Sequence, residues 1–432
     1  MAQSSPTNQI RPADRPVRLR RLLFLLLPAT ATMVALYNGA QVILIPAQVE
    51  AIDPVHKVAR LATLATFAAI ASMIGIPLGG TLSDRTRSRW GRRTPWIVAM
   101  SVISGALMVA MGFAGNLLTL GIVYTVLWLT SNMYQGAMSA ILPDRVPKSR
   151  RGTASAVIGL ATPLGALFGV NLASRVGQVW GYTVLGAVLV LASLALVLGA
   201  REGPSLRVTP GQAAPGEQST PALRQRRNLV AGARSFLRAF TSRDFTLAFI
   251  SRFALFLSYY SVNGYLFYTL SDYIGADQLP GGDVAVAVST LTTVTVVAWV
   301  AVASICGWLA DRLDRRKLFV GASALGLAAT MTIPIASPTW AGMMLFSVFA
   351  GVSIGIYFAV DLAVMSLVLP YKQSEGRDFG ILAVAAGLPG ILAAPIAGTL
   401  ISLTGGYSAL YIFGIIAAAV GGITVLRIRS VR

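Results

Sequence analysis

About twelve stretches of roughly twenty apolar residues follow one another along the chain, and no other feature constrains its fold as much. A helix of about 20 apolar residues crosses a bilayer core about 30 Å thick. The stretches are unbroken rather than alternating, which favours helices over a barrel. The predicted fold is an all-α membrane protein with twelve transmembrane helices. They are expected at residues 22–48, 58–82, 95–113, 117–142, 152–174, 180–199, 245–271, 284–310, 317–335, 339–369, 379–402 and 407–427.

Composition agrees with this class. Only 12% of the residues are charged, against about a quarter in a soluble domain, so a soluble or disordered chain is excluded. The single cysteine, Cys306, and the single histidine, His56, give no basis for an internal disulfide or a metal site. None of the four lysines follows a glycine, so the chain has no phosphate-binding G-K-[ST] loop. We expect no cofactor, no metal and no enzymatic activity.

The basic residues determine the predicted orientation. Lys57, Arg60 and Arg175 lie in loops on one side, and Arg252 lies inside a span. The other 31 of the 35 basic residues fall in segments expected on the opposite side, at 1–21, 83–94, 143–151, 200–244, 311–317, 370–378 and 427–432. The positive-inside rule therefore places both termini in the cytoplasm, with the chain in the plasma membrane. Orientation and contact with anionic lipid account for the net charge of +19, and nucleic acid is not an expected partner.

The N-terminal region permits a second interpretation. Arg18, Arg20 and Arg21 precede the run Leu22–Leu27, and Ala29-Thr30-Ala31 follows it, as in a signal peptide. The apolar run continues to Ile45, which is too long for a signal peptide. A first transmembrane helix is the interpretation we prefer.

An internal repeat divides the chain into two halves. Gly80-Thr-Leu-Ser-Asp-Arg85 and Gly307-Trp-Leu-Ala-Asp-Arg312 are offset by 227 residues, as are Leu142-Pro143 and Leu369-Pro370. Duplication of a six-helix unit explains the common offset. The predicted organisation is a cytoplasmic tail (1–21), a six-helix bundle (22–199), a cytoplasmic linker (200–244), a second bundle (245–427) and a tail (428–432).

The linker has two parts. Residues 203–222 are rich in Pro, Gly, Gln, Ser and Thr, which is typical of a flexible segment. Residues 228–240 carry an apolar stripe and arginines. This pattern predicts a basic amphipathic helix on the membrane surface, or a solvated helical linker.

The repeated motif resembles the signature of the major facilitator superfamily. The longer loop Ser83–Ile97 is similar to that of the glycoside–pentoside–hexuronide:cation symporters and the sucrose-type transporters. The resemblance implies two six-helix bundles around a central cavity lined by spans one, four, seven and ten. The motif residues are Gly80, Asp84, Arg85, Gly91, Arg92 and Arg93 in the first half and Gly307, Asp311 and Arg312 in the second.

The two motif aspartates are expected to control the cytoplasmic side. A carboxylate at a helix C-terminus opposes the helix dipole unless it meets cations, and Arg85, Arg92 and Arg93 can supply them. The charge clusters around Asp84 and around Asp311 would hold helices together and stabilise the outward-facing state. The alternative is that these residues are solvated loop charges.

Two ionisable residues lie within predicted spans. Arg252 and Asp361 are expected at similar depths, roughly 10 and 12 Å from the cytoplasmic side at 1.5 Å per residue. Opposite charges at one depth favour an ion pair, and Asp361 is the candidate proton-coupling group or part of the substrate site. Alternatively, Arg252 extends to the headgroups and Asp361 is a structural hydrogen-bonding residue.

Further polar residues are candidates to line the cavity. The alternative for each is a hydrogen bond between helices. These residues are Tyr37, Asn38, Gln41, Asn132, Tyr134, Gln135, Tyr259, Tyr260, Asn263 and Tyr268.

The predicted function is secondary active transport of a small organic solute by alternating access, coupled to protons or another ion. The loop Ser83–Ile97 favours uptake of a sugar or glycoside. The aromatic cavity candidates favour export of a metabolite or drug, and so does a partial match of Gly159–Gly165 to the antiporter signature. A membrane-embedded enzyme or a sensor is less consistent with the sequence. The expected partners are the solute, the coupling ion and the lipid bilayer, and the expected state is a monomer.

Overall fold

A computed structural model of the chain describes residues 16–203, 240–313, 315–368 and 375–429. Within these ranges every regular element is a helix, and twelve helices are long and apolar enough to cross a membrane. The predicted all-α fold with twelve transmembrane helices is confirmed. The first six helices are α1 (Pro16–Asn38), α2 (Lys57–Arg85), α3 (Thr94–Gly112), α4 (Leu117–Ser139), α5 (Arg151–Arg175) and α6 (Gln178–Gly199). The second six are α7 (Arg243–Gly264), α8 (Val284–Leu313), α9 (Arg316–Thr330), α10 (Trp340–Leu367), α11 (Glu375–Thr404) and α12 (Ser408–Leu426).

Several helices continue beyond a local break. A π-helical segment, Gly39–Leu44, follows α1 and leads into a short helix, Ile45–Ile52. Pro46 has no backbone N–H to donate, which favours a change of helix type at this point. Similar short helices follow α4 (Ile141–Arg145), α7 (Leu266–Tyr268, then the π-helical Thr269–Gly275) and α9 (Ile333–Ala336).

The helix contacts repeat between the two halves of the sequence. In the first half α1 packs on α6, α3 packs on α6 and α3 packs on α4. The corresponding contacts in the second half are α7 with α12, α9 with α12 and α9 with α10. Each second-half pair lies six helices after its first-half counterpart, as expected for a duplicated six-helix unit.

Glycines allow close approach within each half. A Cβ at Gly79 of α2 would overlap backbone atoms of Met133 in α4. In the second half a Cβ at Gly355 of α10 would overlap backbone atoms of Trp299 in α8. Small residues of this kind let helices in a bilayer gain dispersion energy and interhelical contacts. The pairs α2–α4 and α8–α10 are thus fixed by backbone proximity.

The chain forms two compact units whose limits differ from the two predicted bundles. Of the described residues, one unit contains 16–38, 71–169 and 178–203, and the other contains 39–70, 170–177 and those from 240 onward. Two segments of the first predicted bundle, 39–70 and 170–177, therefore pack with residues of the second. Residues 228–239 of the predicted amphipathic helix and the linker from residue 204 lie outside the described residues, and the predicted domain limits stay a prediction.

Candidate functional site

A buried ion pair lies within the second half of the chain. Arg252 of α7 donates through Nη1 to Oδ2 of Asp361 in α10, at 2.6 Å. Their side chains are only 13% and 3% exposed. The structure thus contains the ion pair that their similar depth predicted, and Arg252 is directed to this carboxylate. Because charges inside a membrane protein are costly to bury, such a pair marks a candidate functional site.

Aromatic side chains surround this ion pair. The guanidinium carbon of Arg252 lies 5.7 Å from the ring centre of Phe256, one helical turn along α7. Phe256 in turn contacts Tyr357 edge-to-face, with ring centres 5.7 Å apart. Tyr357 precedes Asp361 by one turn on α10, so both side chains lie on the same helical face. The arginine is therefore held by a carboxylate and by the face of an aromatic ring.

Three buried atoms of this site retain hydrogen-bonding capacity. Nε of Arg252 has no hydrogen-bond partner among the described residues, and the hydroxyl of Tyr357 and Oδ1 of Asp361 interact with each other without a well-formed hydrogen bond. Buried polar atoms are satisfied in most native structures, so unsatisfied ones call for an explanation. Two donors and one acceptor beside a neutral ion pair match the hydrogen-bonding groups of a small polar solute or of water. Sequence reasoning missed Tyr357 because an isolated tyrosine in an apolar helix has no distinguishing pattern.

Two cavity candidates of α4 form hydrogen bonds between helices instead. Asn132 donates through Nδ2 to Oγ of Ser72 at 3.0 Å. Tyr134 is fully buried and accepts a hydrogen bond of 2.9 Å from Ser193 in α6. These contacts match the structural alternative considered for such residues. Their neighbour Gln135 is half-buried.

The candidates of the first helix differ in environment. Tyr37 contacts Trp128 of α4 edge-to-face at 5.0 Å, and its hydroxyl is buried. Asn38 donates to the backbone oxygen of Val34 at 3.0 Å, within its own helix. Gln41 is exposed, in the π-helical segment. Of these three residues, Tyr37 is the one that makes an aromatic contact with α4.

Three candidates, Tyr259, Tyr260 and Asn263, follow Arg252 on α7, and Tyr268 lies in the short helix after it. Tyr260 is 36% exposed and stacks on Phe256 at 5.6 Å, so it extends the aromatic surface beside the ion pair. Tyr259 and Asn263 are half-buried. Tyr268 is fully buried and donates to the backbone oxygen of Pro46 at 3.0 Å. Tyr268 therefore connects segments of the two predicted bundles.

A second polar centre, the Arg93 cluster, consists of Ser83, Asp84, Arg93 and Asp144 in the first half. The buried Arg93 pairs with Asp84, donates through Nε to Asp144 at 3.0 Å and donates through Nη1 to Ser83 at 2.6 Å. Asp144 also receives a bond of 3.3 Å from Arg92. One guanidinium thus joins the ends of α2, α3 and the helix that follows α4, as bidentate arginine geometry permits.

Glu202 binds the backbone beside the Arg93 cluster. Its Oε2 accepts from the backbone N–H groups of Arg93 and Thr94, at 2.9 and 3.2 Å. The carboxylate thereby caps the N-terminus of α3, where the helix dipole favours negative charge. Gly91 adopts φ 97°, and a Cβ there would overlap the Glu202 side chain. The motif glycine is thus required by both backbone conformation and space.

The remaining motif residues make fewer contacts among the described residues. Arg85 is exposed, and none of the ion pairs between described residues joins it to Asp84. The positive charge beside Asp84 comes from Arg93 instead. In the second copy Gly307 is free of close neighbours, and the guanidinium of Arg312 lies 5.3 Å from the ring centre of Trp308. The side chain of Asp311 lies outside the described residues.

A third polar group, the Lys57 cluster, consists of Glu50, Lys57, Asp272 and Tyr407. The ammonium of Lys57 lies 2.5 Å from Oε1 of Glu50 and 2.6 Å from Oδ1 of Asp272. The hydroxyl of Tyr407 donates to Oδ2 of Asp272 at 2.7 Å. Sequence reasoning placed Lys57 in a loop and did not identify its partners. Its rarity could have drawn attention to it, since only three basic residues occupy the loops predicted on that side.

The fold and the buried ion pair define a multi-span membrane protein with a charged centre inside its helices. The sequence model of the Major Facilitator Superfamily matches residues 23–282 and 248–431. The chain belongs to this family, as its repeated loop motif predicted.

Curated relatives match at low identity. The chain is 25% identical over 324 residues to the lactose permease of Lactobacillus delbrueckii subsp. bulgaricus, covering 69% of the chain and 48% of the relative. It is 25% identical to the general alpha-glucoside permease of Schizosaccharomyces pombe, covering 46% of the chain and 38% of the relative. It is 32% identical to human solute carrier family 45 member 4, covering 27% of the chain and 17% of the relative. The chain thus spans less than half the length of each of these relatives.

Solved structures match over almost the whole chain. A bacterial homologue of the human lysosomal transporter Spinster, in an inward-facing and unoccupied conformation, has a TM-score of 0.68 at 16% identity, covering 96% of this chain and 98% of that one. The inward-facing and occupied form has a TM-score of 0.67 at 14% identity, covering 96% of both chains. This likeness establishes the shared fold.

Proposed function

We propose that this protein is a secondary active transporter of a small organic solute, driven by a proton gradient through alternating access. The observation that carries the proposal is the buried Arg252–Asp361 ion pair, at 2.6 Å. In an apolar helix bundle, a carboxylate with one oxygen that lacks a well-formed hydrogen bond is the group best suited to gain and lose a proton during transport. The balance between the charged and the protonated form of Asp361 depends on its distance to Arg252. Movement of α7 relative to α10 and protonation of Asp361 are therefore linked.

A sugar or glycoside is the proposed substrate class. The loop Ser83–Ile97 resembles that of sugar:cation symporters, and two of the relatives are named as a lactose permease and an alpha-glucoside permease. The donors and acceptor beside Asp361 also fit hydroxyl groups better than a fixed cation, because the ion pair is neutral overall. Proton-coupled uptake is therefore the direction we propose.

Export of an aromatic or amphiphilic metabolite is the second candidate. It is favoured by the aromatic side chains around the ion pair, where Trp299 stacks on Phe358 at 4.9 Å and Phe256 contacts Tyr357. The partial antiporter signature at Gly159–Gly165 points the same way.

The proposed setting is the plasma membrane, with both termini in the cytoplasm. The distribution of arginine between the two sets of loops supports this orientation. A single chain contains both copies of the repeat and the complete ion pair, so a monomer suffices as the transporting unit.

Transport into proteoliposomes tests the proposal. Radiolabelled lactose, maltose and a lipophilic cation would be compared with and without an imposed proton gradient. We expect a gradient to drive lactose or maltose accumulation, and Asp361→Asn to abolish this accumulation. Arg60→Gln is the matched control, since Arg60 belongs to an exposed ion pair with Asp53. Gradient-driven accumulation by Asp361→Asn equal to the unsubstituted protein would contradict the assigned role of Asp361. Accumulation of the lipophilic cation alone would contradict the proposed substrate class.

A further inference from the structure

Lys57 bridges two segments that belong to different halves of the sequence. Glu50 lies in the helix Ile45–Ile52, and Asp272 lies in the π-helical segment Thr269–Gly275 after α7. The Lys57 ammonium contacts both carboxylates, at 2.5 and 2.6 Å. It also lies 5.0 Å from the ring centre of Tyr268, which adds a cation–π contact. This lysine is 12% exposed, whereas Asp272 is 32% exposed, so water screens the pair only in part.

Further contacts join the same two halves of the sequence. Tyr268 donates to the backbone oxygen of Pro46 at 3.0 Å. Asn171 donates to Oγ1 of Thr293 in α8 at 2.9 Å. Both hydrogen bonds lie within one compact unit, which contains residues 39–70 and 170–177 together with the described residues from 240 onward. Within that unit, two loops predicted to face outward, 49–57 and 272–283, contact each other through Lys57 and Asp272.

We infer that the Lys57 cluster is a lock that holds the outer end of the transporter closed. This inference rests on the proposed alternating-access function. An outward-open state requires residues 39–70 to separate from the segment Thr269–Gly275. Separation breaks the Lys57–Asp272 contact, whereas the Lys57–Glu50 contact can persist within the first half. Glu50 therefore keeps Lys57 positioned and paired in both states, and Asp272 is the partner that is gained or lost.

The strength of the lock suits a reversible transition. A partly exposed ion pair contributes far less than a buried one, and couplings between conformational states commonly correspond to factors of about 5 to 150. Tyr407 holds Asp272 in place by a 2.7 Å hydrogen bond, which reduces the entropy lost when Lys57 binds. Loss of Lys57 should therefore raise the ratio of open to closed outer ends about tenfold.

Distance measurements between two spin labels test the inference in the full chain, reconstituted in nanodiscs. Cys306 is replaced by serine, and labels are attached at Val55→Cys and Gln278→Cys, two exposed positions in the outer loops of different halves. We expect one short distance in the otherwise unsubstituted protein. Lys57→Met and, independently, Asp272→Asn should each add a longer distance, and the two changes together should add no more than either alone.

Arg60→Met is the matched control for the lock. Arg60 lies one turn from Lys57 and is 52% exposed, but its partner Asp53 belongs to the same half of the sequence. The backbone amide of His56 and the Arg60 side chain hold the pKa of Asp53 below its ordinary value, so this local pair stays charged in neutral buffer. Its loss should leave the label distances unchanged. The exchange Lys57→Asp with Asp272→Lys should restore the short distance.

The outcomes separate the lock from the transport proposal. Unchanged distances in folded, monodisperse Lys57→Met and Asp272→Asn would overturn the lock, whatever the flux assay shows. An equal shift in Arg60→Met would also overturn it, because any basic residue at that end would then have the same effect. A shift specific to Lys57 and Asp272, in a protein that moves no tested solute, would support the lock while contradicting the proposed substrates.

Discussion

Removal of one partner of the Arg252–Asp361 ion pair should cost far more than removal of an exposed ion pair. The nitrogen and oxygen lie 2.6 Å apart, and the two side chains are 13% and 3% exposed. Breaking such a buried pair typically costs about 3–5 kcal/mol, because the remaining charge stays buried and uncompensated. Arg252→Met retains most of the side-chain volume against Phe256, so the change chiefly reports the loss of charge. We expect it to lower the free energy of unfolding by about 3–5 kcal/mol.

The double variant Arg252→Met with Asp361→Asn should recover much of this loss. Neither buried charge then remains, so the penalty of an unpaired carboxylate disappears. The remaining cost is the lost hydrogen bond and the lost contact of the guanidinium with Phe256, which together amount to about 1–2 kcal/mol. Each single variant should cost about 3–5 kcal/mol, so the double variant should cost far less than their sum of about 6–10 kcal/mol, and the double-mutant cycle should show strong coupling between the two residues.

Reversible unfolding in mixed micelles measures these values, with helix content followed by circular dichroism. The seven tryptophans provide a second, fluorescent signal for the same transition. Arg60→Met is the comparison, because an exposed ion pair contributes about 0–1 kcal/mol. The reasoning is refuted when Arg252→Met costs no more than Arg60→Met, or when the effects of Arg252→Met and Asp361→Asn simply add.

Three other changes test the first half of the chain. Asp84→Asn should slow transport several-fold with little loss of solute binding, measured by flux and by equilibrium binding, and normal turnover would contradict its role. Glu202→Ala removes the carboxylate that caps Thr94 and should destabilise the protein by about 1–2 kcal/mol in the same unfolding assay; an unchanged stability would show that the cap is dispensable. Gly79→Ala should cost about 1–3 kcal/mol through overlap with backbone atoms, whereas Gly80→Ala, with no atom near its added Cβ, should be close to neutral. Equal effects at the two glycines would contradict the packing argument.

The number and order of helices were predictable because each span must be long and apolar on its own. The predicted span 284–310, for example, falls within the helix Val284–Leu313. The pair Arg252–Asp361 was predictable for a related reason. In a membrane segment there are few charged residues, so two of opposite sign at one depth have few alternative partners. Rarity, rather than any motif, made this contact evident.

The partners of Arg93 could not be predicted on the same basis. The loops predicted to be cytoplasmic hold so many arginines that sequence alone did not favour Arg93 over Arg85 as the partner of Asp84. Asp144 and Glu202 come from other loops, 51 and 109 residues away from Arg93, and nothing in their local sequence indicates the contact. Only the folded chain shows that one arginine is buried among these carboxylates while its neighbour is exposed.

The Arg93 cluster and the Lys57 cluster differ in what they join, and this difference determines what each can control. The Arg93 cluster joins α2, α3 and the end of α4, all within the first half of the sequence. Its loss weakens that half internally, so Asp84→Asn should leave the distance between labels at positions 55 and 278 unchanged. The Lys57 cluster joins residues of both halves, so its loss acts directly on their separation. A duplicated fold can thus carry unlike polar contacts in its two halves, because Val284, which stands 227 residues after Lys57, carries no charge.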